Sequence, residues 1–352
     1  MLSARVLNRT LLQRQHLLER TSAPPLDEVR HLLGLQAQET LAPYVSLWSR
    51  LHDFDPATVS DALAERTAVR LLLMRGTVHL VTAQDAVLLR PLVQPVLDRQ
   101  LRTGPPRGAA ADLDTAKLAA ATVAELEPGP VPLRELGELL STTFPDVPAD
   151  ALATAARLAV PLVQVPPRGQ WNASGGVVHQ SLQTWCSEAG TRESDEGDLA
   201  EVVRRYLRAL GPATAADVST WSGLTGVTGV LDALSDELRT DRDEDGRTLH
   251  DLADLPLADA DQPAPVRLLG RYDNVWLSHR ARDRVTGPEP RSRWTGSNGG
   301  VAATVFVDGW LQGLWRRKPS GAVDVELFRD LTATERDELD VEVAALEAFL
   351  AR

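Results

Sequence analysis

Cysteine, lysine and long apolar runs are scarce in this chain of 352 residues. The single cysteine, Cys186, excludes an internal disulfide framework and any zinc site built on several cysteines. No apolar run approaches the ~18 residues that a membrane span needs, and the N-terminus lacks the apolar core of a signal peptide. These absences predict a soluble, cytoplasmic protein with no membrane partner.

Charge is plentiful, but it is unevenly distributed. Only Lys117 and Lys318 are lysines, so almost all of the 37 basic residues are arginines. The net charge of −12 argues against a nucleic-acid partner when it is averaged over the chain. Residues 262–320, however, carry a net +6, whereas residues 188–261 carry a net −11. Because salt screens charges beyond about 8–10 Å, an acidic protein can still present one basic surface.

Hydrophobic spacing and turn residues repeat one order of elements three times: helix, short helix, turn, helix, hairpin. Asp55 followed by Pro56 predicts a helix start, and Thr214 with Asp217 predicts a capping box. This order is typical of the winged helix, a relative of the helix-turn-helix. We therefore predict a mainly α fold with small β elements, in which three tandem winged-helix motifs occupy residues 1–127, 128–187 and 188–261.

The last region, residues 262–352, has a different pattern. Residues 266–269 and 274–277 indicate short strands, and Asp308-Gly309 is a favoured hairpin turn between two further strands. Thr332 and Glu335 predict a capping box that opens a terminal helix. We expect a small β-barrel-like domain that ends in this helix.

The common catalytic motifs are missing. The chain has no Gly-x-Ser-x-Gly elbow, no phosphate-binding Gly-Lys-Ser/Thr loop and no histidine pair at the helical spacing of zinc ligands. We therefore predict neither a metal nor an organic cofactor.

Gln36 and Gln38 form the most informative polar pair. Two residues apart on a helix, their side chains would point ~200° away from each other. They can converge only where the chain has left helical geometry, which Gly34 and Pro43 favour. The simpler alternative is that both are solvated glutamines near a helix end.

Three separated segments resemble the AlkZ/YcaQ family of bacterial winged-helix DNA glycosylases. They are residues 35–51 (LQAQETLAPYVSLWSRL), 72–81 (LLMRGTVHLV) and 268–285 (LLGRYDNVWLSHRARDRV). The resemblance runs in the same order over nearly the whole chain, and it implies three winged helices and a C-terminal β-barrel around a DNA channel.

The resemblance also implies an activity. The catalytic Gln-Φ-Gln motif of the family, where Φ is apolar, falls on Gln36 and Gln38, and a sister branch carries Asp at the second position. The AlkZ-like branch hydrolyses the N-glycosidic bond of bulky cationic N7-alkylguanine adducts. Many of its members protect producers of genotoxic natural products, and some unhook interstrand crosslinks. The implied partner is double-stranded DNA carrying alkylated guanine, with no obligate protein partner.

Several other residues are candidates for DNA binding. Arginine suits bidentate phosphate contact, and the polar residues beside the arginines can add hydrogen bonds. The candidates are Arg50, Arg75, Thr77, His79, Asn274, Ser278, His279, Arg280, Arg282, Arg291 and Arg293. Each has a simpler interpretation: His79 can be a core residue with its hydrogen bonds satisfied, the arginines can balance nearby acids, and the polar residues at 274–279 can shape the barrel.

Two other classes of function remain open. A non-catalytic winged-helix protein could bind DNA as a regulator or shield adducts, and winged helices can also serve as protein-interaction modules. Release of the modified base, leaving an abasic site, would distinguish an enzyme from both.

Overall fold

The computed structural model describes residues 1–104, 108, 113–187, 198–287, 291–296 and 300–352. Helices are the larger component, in agreement with the predicted mainly α composition. The helices are α1 (Ala4–Arg14), α2 (Pro25–His31), α3 (Ala42–Trp48), α4 (Pro56–Ala64), α5 (Ala83–Thr103), α6 (Thr115–Leu126), α7 (Leu133–Leu140), α8 (Ala149–Ala159), α9 (Leu182–Ser187), α10 (Leu199–Leu210), α11 (Ala215–Ser222), α12 (Val227–Ala233), α13 (Asn274–Leu277), α14 (Asp283–Thr286) and α15 (Ala333–Leu350).

In the described part of the chain the strands form three antiparallel sheets. They are β1 (Leu35–Gln36), β2 (Ala68–Leu72), β3 (Val78–Thr82), β4 (Val131–Pro132), β5 (Leu162–Gln164), β6 (Val178–Ser181), β7 (Leu238–Arg242), β8 (Thr248–Leu252), β9 (Arg267–Leu269), β10 (Thr304–Val307), β11 (Trp310–Arg317) and β12 (Val323–Leu327). Their orders are β1-β3-β2-β5-β6-β4, then β12-β11-β10-β9, and a separate β7-β8 hairpin.

Helix starts follow the local signals in the sequence. The Asp55 side chain accepts a hydrogen bond from the Ala57 amide at the start of α4. Thr214 and Thr332 each form a complete capping box, at the start of α11 and of α15. These side chains satisfy amides that the first turn of a helix leaves without partners.

The six-stranded sheet joins the first two predicted regions. Hairpin β2-β3 comes from residues 1–127 and hairpin β5-β6 from residues 128–187, and Leu71 on β2 pairs with Val163 on β5. One sheet therefore crosses the predicted boundary after residue 127. The next predicted boundary, between 187 and 188, borders residues 188–197, which lie outside the described part of the chain.

Two predictions for the C-terminal region are wrong. Within the described residues, β9 to β12 form an open four-stranded sheet, with β9 and β12 at its edges, rather than a closed barrel. Residues 274–277 form helix α13, not a strand, because the Asp273 side chain caps the Val275 amide and starts a helical turn. The predicted hairpin at Asp308-Gly309 is confirmed as β10-β11.

Two apolar clusters form the core. One packs the faces of α5, α8 and α10 together, with residues such as Leu97, Leu152 and Tyr206. The other surrounds β1, α3 and the end of α15, with residues such as Leu35 and Phe349. Among the described helices, none combines the length and the apolar character required to span a membrane.

Candidate active site

Strand β1 sets the direction of Gln36. Gln36 pairs with His79 on β3, and the Ala37 amide donates to the Val78 carbonyl at 2.7 Å. The backbone is therefore paired with β3 through Gln36 and the Ala37 amide, and Gln38 lies in the bend that follows. The geometry that the glutamine pair needs, a chain that has left the helix, is present.

Gly34 makes this change of direction possible. Its φ is +93°, a left-handed conformation that favours glycine. A Cβ atom at this position would lie only 2.5 Å from Cγ1 of Val81 on β3. The chain can therefore turn from α2 into β1, close against β3, only because residue 34 has no side chain.

The two glutamines differ in exposure. Gln36 is 7% exposed, whereas Gln38 is exposed to solvent. Ala37 between them is fully buried and faces the core. The pair therefore crosses from the interior to the surface, because the Gln36 side chain is buried and the Gln38 side chain is exposed.

Arg75 orients the inner glutamine. Its Nη2 donates to Oε1 of Gln36 at 3.0 Å, and its Nη1 donates to the Trp221 carbonyl at the end of α11. The Arg75 carbonyl in turn accepts from Nε2 of Gln100 at 2.7 Å. With the Gln36 oxygen held by a cation, the amide NH₂ of Gln36 becomes the end that can donate elsewhere.

Burial controls the charges around Gln36. Burial, followed by the neighbouring Arg282, lowers the pKa of Arg75 to about 10, so Arg75 remains a cation at neutral pH. Burial and the charge of Arg75 lower the pKa of His79 to about 3, against the opposing hydrogen bond to the Thr77 carbonyl. His79 is thus neutral, donates from Nδ1 to Thr77 at 2.9 Å and is 2% exposed. His79 therefore lies in the core with a hydrogen bond to Thr77, and a ring in this position is incompatible with direct phosphate contact.

Arg70 is a positioning residue that the sequence analysis missed. Its Nη2 donates to the Ala37 carbonyl at 2.8 Å, so the residue between the glutamines is held at both its amide and its carbonyl. Burial, followed by Arg168, lowers the pKa of Arg70 to about 10. The signal that could have revealed it is an arginine inside the otherwise apolar strand β2.

Arg50 does not reach the surface, so its predicted DNA contact is wrong. Its side chain and that of Asp273 are both 0% exposed and form an ion pair with N–O distances of 2.8 Å. Nη1 of Arg50 also donates to the Ser46 carbonyl and to Oγ of Ser49, and its Nη2 donates to Oε1 of Gln15. The pair ties the residues just after the glutamines to the third segment.

Asn274 makes a second link between the same segments. It is 4% exposed, and its Nδ2 donates to the carbonyls of Leu32 and Gly34 at 3.1 and 3.0 Å. The predicted DNA contact is wrong for Asn274, because its amide holds the turn that leads into β1. Residues 35–51, 72–81 and 268–285 therefore converge around Gln36.

The comparisons with known proteins agree with this convergence. A sequence model described as DNA glycosylase AlkZ-like matches residues 29–349, nearly the whole chain. The chain belongs to the AlkZ-like DNA glycosylase family. An interstrand DNA cross-link repair glycosylase of Streptomyces sahachiroi is 26% identical over 325 residues, which cover 86% of this chain and 85% of that protein. The solved structure of the Streptomyces sahachiroi DNA glycosylase AlkZ has a TM-score of 0.80 at 22% identity, covering 99% of this chain and 97% of that one, which shows the shared fold.

Ser278 and His279 of this AlkZ-like chain are also interior residues, so their predicted DNA contacts are wrong. They are 0% and 2% exposed. Nδ1 of His279 lies 2.8 Å from Oγ of Ser278, and its Nε2 accepts from Nη1 of Arg284 at 2.9 Å. Burial, followed by the charge of Arg284, lowers the pKa of His279 to about 3, so this ring is neutral. Together they join the third segment to α10, because Tyr206 donates to the Ser278 carbonyl at 2.5 Å.

The remaining candidates are not buried. Arg280, Arg291 and Arg293 are exposed, and Arg282 and Thr77 are half-buried. Arg282 donates to the Trp276 carbonyl at 2.6 Å, so part of its guanidinium is already engaged. In this member of the AlkZ-like family Arg280 and Arg291 lie at the surface, whereas Arg70 and Arg75 contact the glutamine segment.

Proposed function

We propose that this protein is a monofunctional DNA glycosylase that hydrolyses the N-glycosidic bond of bulky, cationic N7-alkylguanine adducts. The observation that carries the proposal is the Gln36-Ala37-Gln38 segment, which has left helical geometry and is held by Arg70 and Arg75, with Gln38 exposed. It also rests on membership of the AlkZ-like DNA glycosylase family.

The two amides have different parts in this mechanism. The exposed side-chain carbonyl oxygen of Gln38 accepts a hydrogen bond from a water molecule. The NH₂ group of Gln36, whose oxygen is engaged by Arg75, donates to one lone pair of the same water. The second lone pair of this water is then directed at the anomeric carbon. Because the protein has already oriented the nucleophile, the entropic cost of orientation does not add to the barrier of the reaction.

Neutral groups suffice because the substrate carries the charge. An amide is a poor general base, but N7-alkylguanine is a cation and therefore a good leaving group. The bond from C1′ to N9 breaks with its electron pair remaining on the base, which departs as neutral N7-alkylguanine. Water oxygen bonds to C1′, its proton passes to solvent and an abasic site remains. The Gln38 carbonyl dipole stabilises the positive charge that develops on the sugar.

The proposal extends to interstrand crosslinks and to self-resistance. The Streptomyces sahachiroi relative is described as a cross-link repair glycosylase, and a crosslink between two guanine N7 atoms contains the same labile bond twice. We infer that this chain unhooks such crosslinks, that three tandem winged helices carry the DNA, and that it protects a producer of a genotoxic natural product. Resolution of a crosslinked duplex into single strands on a denaturing gel tests the unhooking of crosslinks. Survival of expressing cells on a bifunctional alkylating agent tests the protection of a producer.

Base release from a duplex containing one N7-alkylguanine tests the activity. Free base is measured by mass spectrometry, and the abasic site by alkaline strand cleavage. We expect Gln38→Ala and Gln36→Ala to lower the single-turnover rate by about 10²–10³-fold, the size of effect seen when one preorganised hydrogen-bonding group is removed from an active site. Gln13→Ala, at an exposed glutamine of α1, is the matched control and should keep the wild-type rate.

The result also separates the alternatives. Full base release by both motif variants would disprove the mechanism. Salt-sensitive duplex binding with no base release by the wild-type protein would identify a non-catalytic DNA-binding protein instead.

A further inference from the structure

The loop that joins β5 to β6 reaches back to the glutamine segment. It comprises residues 165–177, in the second region of the chain. Leu71 on β2 pairs with Val163 on β5, so the loop starts beside the strand that carries Arg70. Arg70 is the residue whose Nη2 donates to the Ala37 carbonyl at 2.8 Å.

Gly169 in this loop packs directly on the Arg70 side chain. It is buried, and its φ of +96° lies in the left-handed region that favours glycine. A Cβ atom on Gly169 would lie 2.5 Å from both Cδ and Nη1 of Arg70, and 2.9 Å from Cζ. Both the space and the backbone conformation at residue 169 therefore exclude a larger residue while Arg70 keeps its position.

Packing has a large share in fixing Arg70. The side chain is 2% exposed, and its Nε and Nη1 have no hydrogen-bond partner among the described residues. The hydrogen bond from Nη2 to the Ala37 carbonyl does not by itself fix the plane of a guanidinium. The contact with Gly169 supplies the missing constraint, because it lies along the side chain from Cδ to Nη1.

The loop is itself anchored on the helices that follow the motif. The Tyr44 hydroxyl on α3 donates to the Gly169 carbonyl at 2.8 Å. On α4, Oγ of Ser60 accepts from the Trp171 amide at 2.8 Å, and the Ser60 carbonyl accepts from Nε2 of Gln170 at 3.1 Å. The rings of Trp171 and Tyr44 are 5.0 Å apart. Three successive loop residues are therefore docked on the first region of the chain.

We propose that residues 169–171 position the glutamine motif by fixing Arg70 and, through it, the Ala37 carbonyl. This carbonyl lies between Gln36 and Gln38, so a shift in it moves the side chains that the proposed mechanism uses. The inference rests on the proposed glycosylase function and adds to it positioning residues that lie outside all three segments of the family resemblance. The second region thereby contributes to the geometry of the active site.

Two glycine substitutions in the same loop test the proposal. Gly169→Ala places a methyl group against Arg70, whereas Gly176→Ala is the matched control, because Gly176 is exposed and no atom lies within 4 Å of the added carbon. The substrate is the duplex with one N7-alkylguanine. We expect Gly169→Ala to lower the single-turnover rate at saturating enzyme at least about tenfold, with duplex affinity within about twofold, because a small displacement of a catalytic group is costly. Gly176→Ala should keep both values.

Two further variants keep the test decisive if Gly169→Ala folds poorly. Tyr44→Phe removes only the hydroxyl that anchors the Gly169 carbonyl, and we expect it to lower the rate by about three- to tenfold. Arg70→Met removes the donor to Ala37. Because the loop acts through Arg70, Tyr44→Phe or Gly169→Ala added to Arg70→Met should leave the rate within about twofold of Arg70→Met alone, whereas independent effects would multiply.

Hydrogen exchange gives a measurement that does not depend on catalysis. The Ala37 amide donates to the Val78 carbonyl at 2.7 Å. In the free protein, Gly169→Ala and Tyr44→Phe should speed exchange of the Ala37 amide at least about tenfold and leave the amides of α10 unchanged. A general loss of stability would speed exchange at both places.

The outcomes are distinguishable. If the wild-type protein releases no base from any duplex, the proposed function is wrong, and exchange at Ala37 alone decides whether the loop holds the segment. If the wild type releases base and the Gly169 and Tyr44 variants keep both the rate and the exchange of Ala37, the positioning role is wrong. A loss of duplex affinity as large as the loss of rate would place the loop on the DNA, and effects that multiply with Arg70→Met would show that the loop acts elsewhere. Either result would overturn the proposal.

Discussion

At the scale of single residues, the motif is held through its middle residue and one side chain. Val78 and Arg70 hold the amide and the carbonyl of Ala37, at 2.7 and 2.8 Å, and Arg75 holds the side chain of Gln36. Gln38 has freedom that Gln36 lacks, because it is exposed. Arg70 and Arg75 contact the motif itself, and we therefore expect them to act on its geometry rather than on the substrate.

Replacing Arg75 should affect the reaction more than binding. Arg75→Lys loses the planar fork that reaches both Gln36 and the Trp221 carbonyl. We expect the single-turnover rate of base release to fall about tenfold or more, with duplex affinity within about twofold. Measuring the rate at saturating enzyme separates the two effects.

A matched control exists for this experiment. Arg90 is buried, has its pKa lowered by burial to about 10 and contacts Leu158 and Gln94 rather than the motif. Arg90→Lys should lower stability and leave the rate for the folded protein unchanged. If Arg75→Lys weakened duplex binding and left the rate intact, Arg75 would be a DNA contact, as the sequence suggested.

The buried Arg50–Asp273 pair predicts a pH dependence of stability. Burial raises the pKa of the Asp273 carboxyl, but Arg50 and the hydrogen bonds from Ser46 and Val275 outweigh burial and hold the pKa below its ordinary 3.8. A lowered folded-state pKa gives stability that is present above about pH 4 and is lost as the pH falls through the folded-state value. Stability of the wild type should therefore decrease below pH 4.

Removing the carboxylate tests this pair directly. Asp273→Asn leaves the Arg50 cation buried without a counter-charge, which we expect to lower the free energy of unfolding by about 3–5 kcal/mol at pH 7. Urea denaturation at pH 7 and below pH 4 should show the difference between variant and wild type shrinking in acid. Asp324→Asn, in an exposed ion pair with Arg316 and Lys318, should change little at either pH, and an equal effect there would contradict the argument.

At the scale of elements, local chemistry explains which predictions succeed. The caps at Asp55, Thr214 and Thr332 and the Asp308-Gly309 turn depend only on neighbouring residues, and all are confirmed. The prediction at residues 274–277 is wrong because the Asp273 cap outweighs the strand pattern.

Pairing across the chain explains what the sequence could not reveal. Strand β1 is two residues long and exists through its partners on β3, more than forty residues later. Only the resemblance to the family pointed to the glutamine motif as catalytic. The non-helical geometry of the motif depends on Gly34 and on pairing with β3. Likewise, the burial of Arg50 follows from Asp273, which lies 223 residues away, so local patterns made it look like a surface cation.

Gly34 connects these elements, so changing it should displace the motif. Gly34→Ala places a methyl group 2.5 Å from Val81 in a left-handed conformation. We expect a loss of more than about 1 kcal/mol in stability and a lower base-release rate for the folded protein. Gly229→Ala is the control, because Gly229 lies exposed in α12 with no atom within 4 Å of the added carbon. It should be neutral or stabilising, and a harmless Gly34→Ala would mean that β1 tolerates a different turn.

At the scale of the whole molecule, the three segments that resemble the AlkZ/YcaQ family lie together in the fold. Residues 35–51, 72–81 and 268–285 are far apart in sequence, yet strand pairing, the Arg50–Asp273 ion pair and Asn274 bring them to one place. Of the exposed arginines, Arg280 lies within the third segment, and Arg291 and Arg293 come shortly after it in the chain. Arg271, Arg316 and Arg317 line a cleft together with Glu39, the residue after Gln38, so basic residues lie close to the motif although the chain as a whole is acidic.

This arrangement predicts DNA binding that depends strongly on salt despite a net charge of −12. Each phosphate contact contributes about one unit to the slope of log K against log salt concentration. Arg280→Ala and Arg291→Ala, at exposed positions in the basic region 262–320, should each reduce that slope by about one unit. The loss should be equal for modified and unmodified duplex, with the base-release rate at saturation unchanged. Arg134→Ala, at a 90% exposed arginine paired with Glu138 on α7, is the control and should leave the slope as it is. A slope that responds to Arg134 but not to Arg280 or Arg291 would place the DNA on the second region of the chain instead of on the basic C-terminal one.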